Sequence, residues 1–388
     1  MNFQTDTSRT QIQNAVKDFV KGEFKKDVLE PLMASCAFPE KIWKKACDLG
    51  FVGIHFPESA SGQGLGRVEN ALVVEGLCRG DASVGMCLAK AGEGADLILR
   101  FGSDIQKETW LPQVAEGEIL SCFAVAEPGS GMDFTRIRTT AIRTGDEWVI
   151  SGEKSLVINA GPMAGMYLVL CRTDPDADTP KTGLSVILVE ADRAGITISE
   201  TEKKLKLGGR LLWVNDVGFH DVRVPLDNLI GKEDQGLSQT LALMRETRVV
   251  SAAQLVGMAQ GAFERAFGYV KQREQFGRKI IDFQITRQKI ADMATAIEGA
   301  RLLTYQAAQH LDQGAVTEKY STMAKLAATR AALEVCDEAV QLFGGYGYIE
   351  EYEVEHFFRD VRFLATFDGT SMDQKNILAA ELVKTGVG

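Results

Sequence analysis

The 388 residues carry 53 acidic against 43 basic side chains, a net charge of −10, with 45% apolar and 25% charged residues. This is the composition of a globular chain with length for a large core, and the acidic balance argues against a nucleic-acid partner. No apolar run reaches the roughly 18 residues of a membrane span.

Residues 1 to about 120 read as helical. Ile12, Val16, Phe19-Val20 and Phe24 recur at helical spacing. Further segments are expected at Glu40 to Leu49, Arg67 to Cys78 and Ser83 to Phe101, and Ser103-Asp104 caps one over Ile105 to Ala115. From about 121 to 231 the pattern turns to strands. Ile137 to Arg143 and Glu147 to Ile150 flank the hairpin signal Thr144-Gly145-Asp146, followed by Met166 to Arg172, Leu184 to Glu190, Ile196 to Glu200 and Val214 to Phe219. An antiparallel β domain is expected. From about 232 to 388, Leu237 to Arg273, Gln284 to Asp312, Thr317 to Phe343 and a C-terminal helix predict a four-helix bundle. The fold class is α+β in three domains, 1–120, 121–231 and 232–388.

The N-terminus lacks the basic and apolar regions of a signal peptide. Seven scattered cysteines, none in a C-x-x-C pair, suit free thiols in a reducing cytoplasm, and four dispersed histidines offer no metal site. No G-x-G-x-x-G follows a strand and no Walker A motif occurs, so neither a nicotinamide site nor a phosphate loop is supported.

Asp368, in Phe367-Asp368-Gly369-Thr370-Ser371, follows the helical run Glu353 to Leu364 at a glycine-marked break. A buried carboxylate on such a turn would be pushed up in pKa towards the range useful for proton abstraction. The competing role is N-cap of the helix beginning near Thr370. Lys90, Glu93 and Asp96 are expected as exposed helix charges or as proton-active groups in a pocket.

Ala126-Glu127-Pro128-Gly129-Ser130-Gly131-Met132-Asp133, Gln272-Arg273-Glu274-Gln275-Phe276-Gly277, Gln341-Leu342-Phe343-Gly344-Gly345-Tyr346-Gly347-Tyr348, Arg359-Asp360 and the Asp368 string occur in the order found in the acyl-CoA dehydrogenase family. The chain resembles that family over almost its whole length. The resemblance implies FAD, an acyl-CoA substrate, an electron-transferring flavoprotein as partner and a homotetramer. It implies that Arg273 and Phe276 hold the FAD diphosphate and adenine half from a neighbouring subunit, with Gln341, Gly345 and Thr370 completing the cofactor site. Asp368 stands where many members carry a catalytic glutamate. It would take the α-proton while β-hydride passes to flavin N5, its own N–H stabilising the enolate-like oxygen. Lys90, Arg245, Arg248 and Gly369 fall at substrate-binding positions, with Lys90 placed to pair with the distal carboxylate of a diacid. The family's other base position is occupied by Thr247, and Glu246 points about 100° away around the helix.

The departures are specific. Ala126, Met132, Leu156 and Ile158 stand at flavin-contacting positions where the family usually has hydroxyls or an aromatic ring. Together with the shorter Asp, they imply a branched, alicyclic (cyclohexanecarboxyl-CoA-like) or dicarboxylic acyl-CoA. The alternatives are a nitroalkane-oxidase-like flavoprotein, which also uses Asp, and a non-redox acyl-CoA-binding or lyase relative.

Overall fold

The computed structural model describes residues 7–131, 133–199, 208–314 and 318–386. The N-terminal part is helical: α1 (Thr7–Glu23), α2 (Lys26–Ser35), α3 (Glu40–Asp48), α4 (Arg67–Gly80), α5 (Ala82–Lys90), α6 (Ala95–Phe101) and α7 (Asp104–Ala115). Ser103 caps α7: its hydroxyl accepts from Gln106 N–H at 3.2 Å, and the Gln106 side chain accepts from Ser103 N–H at 3.0 Å. The single helix expected over Ser83 to Phe101 is instead two. The chain leaves α5 after Lys90, turns at Gly94 with φ +85°, and at Gly92 bridges to Ser121. That break carries Lys90 and Glu93 into the interior.

The middle sheet comprises β1 (Leu120–Ala124), β2 (Thr140–Thr144), β3 (Glu147–Ile158), β4 (Ala164–Arg172), β5 (Leu184–Glu190), β6 (Ile196–Ile198) and β7 (Val214–Pro225). Gly145, at φ +62°, makes the two-residue β2–β3 turn, with Thr144 opposite Glu147. The sheet is mixed rather than antiparallel, because β1 pairs β4 in parallel. It is covered on both faces. Met166, Leu168 and Leu170 of β4 join the core shared with the helices, while Tyr167, Val169 and Cys171 pack into a second core behind. Expected residues Glu200 and Thr317 lie outside the described residues.

The C-terminal part is built on α8 (Gly236–Gln272), α9 (Gln284–Asp312) and α10 (Glu318–Phe343). A short hairpin, β8 (Glu274–Gln275) with β9 (Arg278–Lys279), joins α8 to α9. Two further helices follow, α11 (Val354–Leu364) and α12 (Ser371–Thr385), and Asp368 lies in the expected break between them. Gly257 and Gly261 let α8 lie directly on α4: a Cβ there would stand 2.3 Å from Glu75 O and 2.4 Å from Arg79 O. No helix among the described residues is long and apolar enough to cross a membrane.

Candidate active site

Asp368 adopts φ +58°, a left-handed conformation that turns its side chain back on α8. Thr247 Oγ1 donates to one carboxylate oxygen at 2.7 Å, and the Ser251 hydroxyl donates to the other. These two hydroxyls are one helical turn apart on α8. The Asp368 carbonyl accepts from Gln374 Nε2 at 2.6 Å and Arg248 Nε at 3.4 Å. Its N–H has no acceptor among the described residues. Thr370, not Asp368, caps α12: its hydroxyl accepts from Asp373 N–H at 3.2 Å. The cap of α12 is thus Thr370 and not Asp368.

The carboxyl of Asp368 is not raised, as burial alone would predict. Burial pushes it up, but the Lys90 ammonium, the Ser251 hydroxyl, Lys325 and Thr247 together hold it below the ordinary carboxylate value. It is therefore poised unprotonated.

Lys90 is not an exposed helix charge; it is 2% exposed and pairs with Glu93 at 3.1 Å. That internal pairing removes the free cation expected to meet a diacid. Glu93 is driven up by burial and by Asp368, against the pull of Lys90, so two neighbouring carboxyls are pushed apart in pKa. Asp96 belongs to a separate ion-pair network. Arg67 and His55 hold it well below the carboxylate range, at 2.9 and 2.8 Å. Glu246 joins the same network through Arg67 at 2.6 Å and Arg100 at 2.7 Å, turned away from Asp368.

Lys90, Glu93, Asp96, His55, Thr247 and Val250 line a partly open cavity of about 60 Å³. Asn159, also at positive φ, ties this floor to the sheet by donating to Lys90 O at 2.7 Å and Ser121 O at 2.9 Å. Arg245 and Arg248 share Glu318 at 2.6 and 2.5 Å. Arg248 is buried and Arg245 opens to the surface. Gly369, at φ +97°, leaves room for the Gln374 amide, which a Cβ would approach to 2.9 Å.

The positions expected to meet a cofactor fall in two places. Ala126 accepts from Ser155 N–H at 2.8 Å, beside Leu156, which at φ +54° is 53% exposed, and near the buried Ile158. Met132 lies outside the described residues. The second place is a groove of about 580 Å³ that brings together Arg273, Gln341, Gly344 and Gly345 with Tyr346 and Ile349. A Cβ at Gly344 or Gly345 would meet nothing within 4 Å, so the groove floor is bare backbone open to a ligand. Phe276 projects nearby on the β8–β9 turn, 93% exposed. A guanidinium beside side-chain-free backbone suits a diphosphate, and a large exposed apolar side chain at Leu156 suits the face of a flat ring. Thr370 caps α12 on the turn bearing Asp368.

The family descriptions "Acyl-CoA dehydrogenase, N-terminal domain", "middle domain" and "C-terminal domain" match residues 6–118, 122–222 and 234–383. The chain belongs to the acyl-CoA dehydrogenase family. It is similar to a cyclohexane-1-carbonyl-CoA dehydrogenase of Geobacter metallireducens, at 38% identity over 87% of each chain. It is also similar to the caffeyl-CoA reductase-Etf complex subunit CarC of Acetobacterium woodii, at 35% identity over 96% of this chain and 97% of that one. A solved glutaryl-CoA dehydrogenase of Mycobacterium smegmatis, in complex with FADH2, superposes with a TM-score of 0.90 at 27% identity, covering 98% of this chain and 95% of that one. As an acyl-CoA dehydrogenase, the protein is an FAD-dependent oxidoreductase acting on acyl-CoA by dehydrogenation or the reverse reduction.

Sequence reading missed Thr247 and Ser251 as partners of Asp368, and Lys325 behind it. The i, i+4 pair of hydroxyls on α8 was a usable signal; Lys325 had none.

Proposed function

We propose that this acyl-CoA dehydrogenase interconverts a short, cyclic or branched acyl-CoA with its α,β-unsaturated counterpart, Asp368 exchanging the α-proton. The observation that carries the reading is the Asp368 carboxylate held ionised by Lys90, Ser251, Lys325 and Thr247, with both hydroxyls hydrogen-bonded to it, beside the cavity lined by Lys90 and Glu93. The free Asp368 N–H is positioned to stabilise a thioester oxygen as charge builds there. FAD, when bound, supplies the acceptor or donor of the β-hydride. Arg273, Gln341 and Gly345 would hold its diphosphate half, with Phe276 at the rim, and Ala126, Leu156 and Ile158 would wall its ring.

The size of the cavity supports a short acyl group. Its roughly 60 Å³ is well under the 150 Å³ or so that accepts benzene, so it holds neither a long chain nor a ring as it stands. The relative that acts on cyclohexane-1-carbonyl-CoA supports the same class. With Lys90 already paired to Glu93, a dicarboxylic acyl group is disfavoured. The Etf-complex relative supports an electron-transferring flavoprotein as partner. The groove at Arg273 is flanked by Tyr346, Ile349 and Ile285, exposed by 43%, 46% and 61%, a surface suited to another copy in a homotetramer.

The test is anaerobic bleaching of the bound flavin against straight, branched, cyclic and dicarboxylic acyl-CoAs. Fastest bleaching is expected with cyclic or branched thioesters. Best turnover of a long straight chain would overturn the substrate class. Steady peroxide release from a nitroalkane, without bleaching by any acyl-CoA, would overturn the reaction.

Replacing Arg273 by Met is expected to weaken FAD retention by about tenfold or more, the scale of one or two charge-assisted hydrogen bonds. Flavin content after gel filtration measures this; unchanged loading would remove Arg273 from the cofactor site.

A further inference from the structure

Lys325 lies on α10 and is 1% exposed. Its ammonium donates only to neutral oxygens: Thr329 Oγ1 at 3.2 Å, and the carbonyls of Leu364 at 3.4 Å and Ala365 at 3.5 Å. Among the described residues no carboxylate lies within ion-pair distance of it. Burying a charge without a counter-ion is costly, so something else must compensate this one. Part of the answer is the C-terminus of α11, whose carbonyls carry partial negative charge. Those carbonyls stand three and four residues before Asp368, so the cation also grips the turn that presents the carboxylate.

We propose that Lys325 is a positioning residue for proton transfer: it anchors the Asp368 turn to α10 and, by its charge, biases the bound complex towards saturated acyl-CoA with the proton off Asp368. This inference rests on Asp368 as the proton-exchanging group and adds a direction to it.

The sign follows from charge balance. In oxidation, the α C–H bond breaks, its proton goes to Asp368, and the hydride equivalent at the β-carbon passes to the flavin. The carboxylate becomes neutral at that step. A cation that favours ionised Asp368 opposes oxidation and, in reverse, helps the carboxyl give its proton to the α-carbon. Ammonium and carboxylate act on each other. Lys325 lowers Asp368, while Lys325 itself is brought to about 8 by burial, opposed by Asp368 and reinforced by Lys90 of α5 and Arg248 of α8. Glu93, paired with Lys90 at 3.1 Å, offsets its charge. Within the bound complex no proton is exchanged with solvent, so the internal equilibrium should vary with pH only when a neighbouring group titrates. Lys325 would do so between about pH 7 and 9.

The experiment is an anaerobic titration at a fixed ratio of cyclohexanecarboxyl-CoA to its unsaturated partner, or of the panel member that bleaches fastest. Lys325→Met is expected to raise the ratio of reduced to oxidised flavin about tenfold, one pKa unit of relief at Asp368. Lys325→Arg, charged at every working pH, should leave the ratio at pH 7 unchanged. In the wild type the ratio should climb from pH 7 to 9, and in Lys325→Arg it should stay flat. The potential of the flavin without acyl-CoA should be equal in all three proteins. A folded, FAD-loaded Met variant with an unchanged or lower ratio overturns the proposal, as does a changed flavin potential. If the Met variant does not fold, identical pH responses of wild type and Lys325→Arg overturn it. Asp368→Asn in the same titration separates the two readings. Unimpaired bleaching there removes Asp368 as the proton acceptor, whereas bleaching lost there leaves the Lys325 variants to judge Lys325 alone.

Discussion

Asp368→Asn is expected to slow flavin bleaching by acyl-CoA by at least about 10²-fold, the usual scale of a general base, while FAD stays bound. Asn keeps the shape, and the hydroxyls of Thr247 and Ser251 can rotate to meet an amide; Thr247 Oγ1 already has Met244 O within 3.3 Å. The backbone contacts from Gln374 and Arg248 are untouched. The substitution therefore removes the proton acceptor and little else. The pH profile of the wild type tests the same point. Oxidation requires the ionised carboxylate, and Asp368 is held below its ordinary value. The rate should be insensitive to this group through the neutral range and fall only as pH drops through the depressed value, below about 3.9. Retained bleaching in Asp368→Asn would redirect attention to Glu93, the other proton-active carboxyl in the cavity wall.

How much of this was legible in the sequence depends on how local each signal is. The apolar period from Leu237 to Arg273 runs without a proline, and α8 forms as one helix. The Gly145 turn and the Ser103 cap are decided within a few residues, and both appear where expected. The strings around Arg273, Gln341 and Gly345 named residues that the fold brings into one groove. Parallel pairing of β1 with β4 joins segments about 45 residues apart and leaves no periodic trace in either. Exposure of Lys90 and Glu93 was misjudged because helical spacing continues past residue 90 while the backbone does not; the break is set by pairing of Gly92 with Ser121. The pKa direction of Asp368 was misjudged for a similar reason. Its depressors, Lys90, Ser251, Lys325 and Thr247, come from three other helices.

Arg67→Met is expected to be the most destabilising of the substitutions considered, by about 3 kcal/mol, the lower end of the range for breaking a buried ion pair. Arg67 projects from α4 between Asp96 of α6 and Glu246 of α8, at 2.9 and 2.6 Å, with its side chain 16% exposed. Met fills much of the same length but leaves two carboxylates facing each other. Arg100 still reaches Glu246 at 2.7 Å, and its 38% exposure lets solvent relieve part of the strain, which sets the lower figure. Acid should shrink the deficit. In the wild type Asp96 is depressed, so its contribution is present above its unfolded value of about 3.9 and is lost only as pH falls through the depressed value. Without Arg67 the largest depressing influence on Asp96 is gone, and Glu246, already raised by burial, loses its main counter-charge. Both carboxyls then take up protons more readily when folded than unfolded, so acidification stabilises the variant relative to the wild type. Denaturant midpoints at pH 7.5 and 5 measure this, and a deficit that widens at pH 5 would refute it. Because His55 and Asp96 also line the cavity beside Lys90 and Glu93, the same substitution should loosen the closed end of the acyl site. Rates with short acyl-CoAs should then fall more than rates with longer ones, since only the longer chains still fill the enlarged space.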